Sequence, residues 1–264
     1  MTSIPSLTEP PFADYESGEP KVGVFSRLFP SAGFYFRVGK AVFSASNKAR
    51  KGLFDEKAWY DASLTVRDAF EKSGARIHVL GTEHIARLKE PCVIIGNHMS
   101  TAETFLMASM ILPFRPVTFV IKQSLVEYPV FKHVMLSRDP IIVGRVNPRE
   151  DLKAVLGGGR EHLDSGTSIV IFPQRTRTVD FDRNAFNSIG VKLAKRAGVP
   201  IVPLALKTNA WSNGKWLKDY GRFQPHEDVH FEFGEPFNIE GSDKDAHERV
   251  IEFIEGRLKQ WTAT

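Results

Sequence analysis

The sequence is poor in cysteine, in long apolar runs and in positive charge at its start. Its one cysteine, Cys92, excludes a disulfide framework, an internal CxxC redox pair and any zinc or iron–sulfur site built on several thiolates. The longest mostly apolar stretch, Phe105 to Phe114, is about half of the ~20 residues that a membrane-crossing helix needs. The first 20 residues have no lysine or arginine; they hold Glu9, Asp14, Glu16 and Glu19 among several prolines. A secretory signal needs a positive start and an apolar middle, so this stretch reads instead as a disordered acidic tail. Excess charge is small as well: 35 Lys and Arg against 31 Asp and Glu give +4 over 264 residues, which favours anionic partners without implying nucleic acid. A composition 42% hydrophobic and 25% charged supports a sizeable core in one or two domains. The protein is therefore expected in the cytosol, or attached to a membrane without crossing it.

Residues 21–54 lack acidic side chains altogether. Lys21, Arg27, Arg37, Lys40, Lys48, Arg50 and Lys51 alternate there with Phe25, Phe29, Phe34, Tyr35, Phe36, Phe43 and Phe54. Each basic residue near an anionic bilayer contributes about 1 kcal/mol, and aromatic rings settle at headgroup level. The segment reads as an interfacial helix or helix pair on a membrane. A helical hairpin with a solvated basic face is the competing reading.

From residue 55 to 264 short apolar runs alternate with helical periodicity. Strands are expected at 76–80, 92–95, 117–122, 140–143, 168–172, 201–207 and 229–233. Helices are expected at 55–73, 100–111, 149–164 (weakened by Gly157-Gly158-Gly159), 184–197 and 243–261. This order predicts an α/β fold: a mostly parallel central sheet flanked by helices, preceded by the interfacial helical segment.

Two segments carry chemistry. In Val93-Ile94-Ile95-Gly96-Asn97-His98-Met99-Ser100-Thr101-Ala102-Glu103, a histidine follows a buried strand and a carboxylate comes five positions later. Open α/β sheets bind ligands beyond the carboxyl ends of their strands, and a carboxylate fixes an imidazole tautomer for base catalysis. The same residues also read as a capping box with Ser100 at the N-cap and Glu103 at N3, which would leave His98 a loop histidine. In Phe172-Pro173-Gln174-Arg175-Thr176-Arg177-Thr178, two guanidinium groups and two hydroxyls follow another buried strand, a donor set suited to phosphate. Lys122 ends the 117–122 strand, and Arg145 follows Ile141-Ile142-Val143. A phosphate cradle at Gly157-Gly158-Gly159-Arg160 is weak, because no Lys-Ser/Thr follows.

These blocks, in this order, resemble the glycerolipid (lysophosphatidate-type) acyltransferases. Asn97-His98 with Glu103 is similar to that family's Asn-His-x-x-x-x-Asp block and Ile141 to Arg145 loosely to its second. Phe172 to Arg177 is similar to Phe-Pro-Glu-Gly-Thr-Arg, and Val199-Pro200-Ile201-Val202-Pro203 to its last block. The resemblance implies catalysis by His98 and Glu103, with Lys122, Arg145, Arg175, Thr176 and Arg177 binding the acceptor. It implies acyl transfer from acyl carrier protein or coenzyme A thioester to a lysophospholipid hydroxyl, without cofactor or metal, by a peripheral protein on the cytoplasmic face of a membrane. A lyso-ornithine lipid acceptor, or a non-catalytic lipid-binding role, are the alternatives. Three departures stand out: Glu103 for Asp, Gln174 for Glu and Arg175 for Gly. The last would cost roughly 1–2 kcal/mol if that position needs positive φ. Leu106, Met107, Met110 and Ile111 are candidates to line an acyl groove, though core packing is the stronger reading for most of them.

Overall fold

The computed structural model describes residues 14–216 and 218–263. In chain order its elements are β1 (Tyr15–Glu16), α1 (Val24–Leu28), α2 (Pro30–Arg50), α3 (Glu56–Glu71), β2 (Ile77–Leu80) and α4 (Thr82–Ala86). Then come β3 (Val93–Gly96), α5 (Ala102–Ile111), β4 (Val117–Lys122), α6 (Gln123–Glu127), α7 (Lys132–Leu136) and β5 (Ile141–Val143). The last are α8 (Pro148–Asp164), β6 (Ser168–Ile171), α9 (Ile189–Ala197), β7 (Ile201–Lys207), β8 (Val229–Phe233) and α10 (Asp243–Thr262).

The strands form one sheet in the order β1-β2-β8-β7-β3-β6-β4-β5. Strands β7, β3, β6, β4 and β5 are parallel. β8 runs antiparallel to β7, β2 parallel to β8, and β1 antiparallel to β2. The expected mostly parallel α/β sheet is what forms. The central strands β3 and β6 are buried at every residue, as continuous apolar runs covered on both faces should be. One face packs against α2, α3 and α5 through Phe34, Phe70, Leu106 and Met107. The other packs against α8, α9 and α10 through Val155, Leu193 and Val250.

Several local expectations are corrected. Residues 1–13 of the expected tail lie outside the described residues, but Tyr15 and Glu16 pair with Val79 and His78 in β1. That strand is held because Tyr15 and Ser17 both donate to the Glu71 carboxylate. The glycine triplet does not interrupt α8: a Cβ at Gly159 would meet Leu193 at 2.7 Å, so its smallness lets α8 close on α9. The helix expected at 184–197 divides into a short 3-10 turn at Arg183–Ala185 and α9. Between them Asn187 spends its side chain on the Pro173 carbonyl and the Ile189 N–H.

The 21–54 segment is helical, as α1 and α2. α2 presents Phe34, Val38, Ala41 and Ala45 to the core, with Phe34 stacked on Phe223 at 4.2 Å. Its other side is also apolar, with Phe36 and Phe43 exposed, and Phe25 in α1 and Phe29 at the junction are exposed too; all four are 58–75% exposed. No described helix is long and apolar enough to cross a membrane.

Candidate active site

Because β3, β6, β4 and β5 are parallel, the segments leaving their C-terminal ends emerge along one edge of the sheet. His98 lies two residues past β3 and the 172–178 turn follows β6. Lys122 closes β4, and Arg145 stands two residues past β5.

His98 is 14% exposed in its side chain, and its ring stacks on Phe172 at 4.6 Å with planes 8° apart. Its backbone N–H donates to Gln174 Oε1 at 2.6 Å, and its carbonyl accepts from Thr178 N–H at 3.1 Å. Gln174, itself buried, donates from Nε2 to Thr178 Oγ1 at 2.9 Å. The two chemical segments are thus stitched together backbone to side chain. Asn97 anchors the same turn to the next strand, exchanging both bonds of its amide with the Leu206 backbone at 2.8 and 2.9 Å.

Glu103 is fully buried. Its Oε1 accepts from the N–H groups of Met99 and Ser100 at 2.6 and 2.7 Å and from the Thr208 hydroxyl at 3.1 Å. The Ser100 hydroxyl donates in turn to Thr208 Oγ1 at 2.9 Å. Burial pushes the Glu103 carboxyl up, but His98 and the backbone donors outweigh it and hold it below the usual carboxylate range. Nδ1 of His98 lies 3.8 Å from Oε1. That is an ion-pair separation, longer than a hydrogen bond, and Nδ1, also buried, makes no hydrogen bond elsewhere among the described residues. The capping box is only half formed: Glu103 takes the Ser100 N–H, but Ser100 Oγ accepts from Ala102 N–H at 3.0 Å, and α5 begins at Ala102.

The cationic residues are placed unequally. Arg177 reaches across to Thr101 Oγ1 and pairs with Asp219 at 2.5 Å. Arg145 donates to the Arg175 carbonyl. Burial lowers the Arg145 guanidinium pKa, with Asp151 opposing that shift and Arg177 adding to it. Arg145 also takes φ +59°, and Asp151 Oδ1 holds this turn by accepting from the Gly144 and Arg145 N–H groups. Arg175 itself is not among the positive-φ residues, so the strain expected for replacing glycine there does not arise. Its side chain is exposed. Thr176 Oγ1 accepts from Lys218 Nζ at 3.1 Å. Lys122 is exposed opposite Val143 in the β4–β5 ladder, and among the described residues no bond joins it to the turn.

Sequence reasoning missed the roles of Gln174, Thr208, Lys218 and Asp219. Thr208 follows β7 at the same sheet edge, a signal of the kind that singled out His98; Lys218 and Asp219 sit in a long connection without one. Leu106, Met107, Met110 and Ile111 are all buried in the core. Cys92, directly before β3, is buried, and that burial pushes its thiol up. The fold also gathers His78, Asp228 and His230, whose ligand-type atoms lie within 4.8 Å of one another at the β2–β8 ladder. Arg76 already holds that Asp228 through two bonds.

Against known proteins, the chain is 34% identical over 153 residues to a 1-acyl-sn-glycerol-3-phosphate acyltransferase of Pseudomonas aeruginosa, covering 58% of each. It is 30% identical over 139 residues to the enzyme so named from Borreliella burgdorferi, covering 51% of this chain and 52% of that one. The chain thus spans little more than half the length of these two relatives. The crystal structure of the 1-acyl-sn-glycerophosphate acyltransferase PlsC from Thermotoga maritima superimposes with a TM-score of 0.66 over 90% of this chain and 96% of that one; at 19% identity this is a likeness of fold. The family model described as Acyltransferase matches residues 76–207, from the start of the β2 segment to the end of β7. That match takes in His98, Glu103 and the whole 172–178 turn over half of the sequence, and the chain belongs to the Acyltransferase family.

Proposed function

We propose that the protein transfers a fatty acyl chain from a thioester, of acyl carrier protein or coenzyme A, to the free hydroxyl of a lysophospholipid. The acceptor is 1-acylglycerol 3-phosphate and the product phosphatidate. The observation that carries this reading is the placement of His98 and Glu103 on the sheet edge from which the Arg177 turn also emerges, tied together by Gln174 and Thr178.

The chemistry follows from what each group can do. An unactivated alcohol is a poor nucleophile at neutral pH, and a positioned base contributes ~10²–10⁴-fold. His98, with Nδ1 turned to Glu103, takes the hydroxyl proton on Nε2 as the alkoxide oxygen attacks the thioester carbonyl. The carbon–sulfur bond then breaks, and the imidazolium returns its proton to the thiolate. No acyl-enzyme intermediate is required. Glu103, 3.8 Å from Nδ1, fixes the tautomer and stabilises the imidazolium that forms. Arg177 binds the acceptor phosphate, assisted by Arg145, Lys122 and the Arg175–Thr176 turn.

The same proposal sets the protein on the cytoplasmic face of a membrane, with α1 and α2 lying in the interface. Support comes from Phe25, Phe29, Phe36 and Phe43, exposed beside lysines and arginines with no acidic neighbour in 21–54. The deciding experiment is acyl transfer from each thioester to lysophosphatidate in vesicles, comparing the protein with His98→Ala. Loss of turnover in a variant that still folds is expected; turnover near the parent level would refute the base assignment.

A further inference from the structure

Arg177, read above as the ligand of the acceptor phosphate, does not stand alone. Asp219 Oδ1 lies 2.5 Å from its Nη2, and Thr101 Oγ1 contacts both side chains. The carboxylate is the more open partner, 38% exposed against 18% for the arginine. Asp219 is also held from behind. Trp211 Nε1 donates to its carbonyl at 3.1 Å. The backbone on either side is tied by Ser212 N–H to the Arg222 carbonyl at 3.2 Å and by Gln224 N–H to the Ala210 carbonyl at 2.7 Å. Gly221 is wedged in so closely that a Cβ there would lie 1.9 Å from the Ser212 carbonyl oxygen. The segment cannot readily withdraw, so Asp219 stays beside any phosphate that reaches Arg177.

A phosphate at that position meets one guanidinium and one carboxylate. A bare phosphomonoester, carrying up to two negative charges, is repelled by Asp219 more than a phosphodiester is. A headgroup with an ammonium next to its phosphate satisfies both members of the pair. Lys218, 3.1 Å from Thr176, and Arg145, bonded to the Arg175 carbonyl, add positive charge at the same turn, so the phosphomonoester retains a site.

We propose that Asp219 is a specificity-determining residue that admits zwitterionic lysophospholipids, with a cation beside the phosphate, as acceptors alongside lysophosphatidate. The proposal rests on the acyltransferase reading of the His98 site.

The test compares lysophosphatidate and lysophosphatidylethanolamine of the same acyl chain as acceptors, using the full chain, Asp219→Asn and Asp219→Glu. The parent should acylate both. Asp219→Asn should raise the kcat/KM ratio of the phosphomonoester over the zwitterion by about five-fold, the upper range for a partly exposed charge pair. Asp219→Glu should return the ratio towards the parent value. An unchanged ratio in folded Asp219→Asn, or a parent active on lysophosphatidate alone, overturns the proposal. A second arm follows binding of glycerol 3-phosphate and glycerophosphoethanolamine by NMR shifts, where Asp219→Asn should weaken the second relative to the first. If no acyl transfer occurs with either acceptor, the acyltransferase reading falls, and this binding arm still decides the role of Asp219.

Discussion

His98 is fixed on three sides: Phe172 against its ring face, Gln174 on its N–H and Glu103 opposite Nδ1. The geometry of the proposed base therefore depends on residues with no chemical step of their own in that proposal. Thr208 is the clearest of them, because it donates to the buried carboxylate that faces the imidazole. Thr208→Val keeps the shape and removes that donor. It should lower kcat roughly ten-fold, the scale of one hydrogen bond to a charged group, with little change in KM. A KM effect without a kcat effect would contradict this. Arg177→Ala should instead act on KM for the acceptor. A charge-assisted phosphate contact is worth roughly 10- to 150-fold in binding, and the lower end is expected because Arg177 shares its charge with Asp219 in the parent. Steady-state kinetics with the acceptor varied would measure it. At this scale the placement of His98, Glu103 and Arg177 at one sheet edge was legible in the sequence, since each follows a recognisable strand or begins a helix. The two-charge change at Gln174 and Arg175 was legible only as composition. Gln174 keeps a side-chain oxygen for the His98 N–H, and Arg175 occupies ordinary backbone.

Among the elements, α2 is the unusual one, because it is apolar on two sides. Phe34 and Val38 pack into the core, while Phe36 and Phe43 face outward, with Lys40 over the Phe36 ring at 5.7 Å. A helix that needed burial only on the core side would not carry exposed phenylalanines among lysines. Replacing Phe25, Phe29, Phe36 and Phe43 by serine should sharply reduce binding to anionic vesicles in a sedimentation assay while leaving thermal stability nearly unchanged, since all four are exposed. Vesicle binding equal to the parent would remove the interfacial role. Strand limits were readable within a residue, because fully buried parallel strands are continuous apolar runs. β7 even tolerates Pro203 in mid-sheet. Its antiparallel ladder to β8 ends at Leu204↔Phe233, and the chain then takes Gly234 N–H onto the Pro203 carbonyl, so no amide is needed from the proline. The 3-10 break before α9 was not readable, because it exists to bring Asn187 to the Pro173 carbonyl, a contact between segments 14 positions apart.

For the whole molecule, acid stability is set at His230 in β8 as well as at Glu103. Burial, with help from the neighbouring His78 and Lys207, pushes His230 down from 6.5 to about 4. The unfolded chain therefore takes that proton first. The contribution of neutral His230 is present above pH 6.5 and is lost as pH falls towards 4. Glu103 acts in the same sense over a lower window: its carboxyl is held below its ordinary value of 4.5, so its stabilisation is present above that pH and declines as pH drops through the folded-state value. His230→Phe, which keeps the stack between His78 and Trp261, should flatten the fall of Tm between pH 6.5 and 4, leaving the steeper loss below pH 4.5 in place. A Tm profile that is the same in variant and parent over the upper window would exclude His230 as its source.

Read alone, the amino acids determined the alternation of strand and helix, the sheet edge that holds the candidate site and the family blocks around His98, because hydrophobic periodicity and strand-end motifs are local. Only the folded chain decided that Thr208 supports Glu103 and that Asp219 neutralises Arg177. Those partners lie 105 and 42 positions apart, and no local pattern encodes which loops a parallel sheet will bring to one edge.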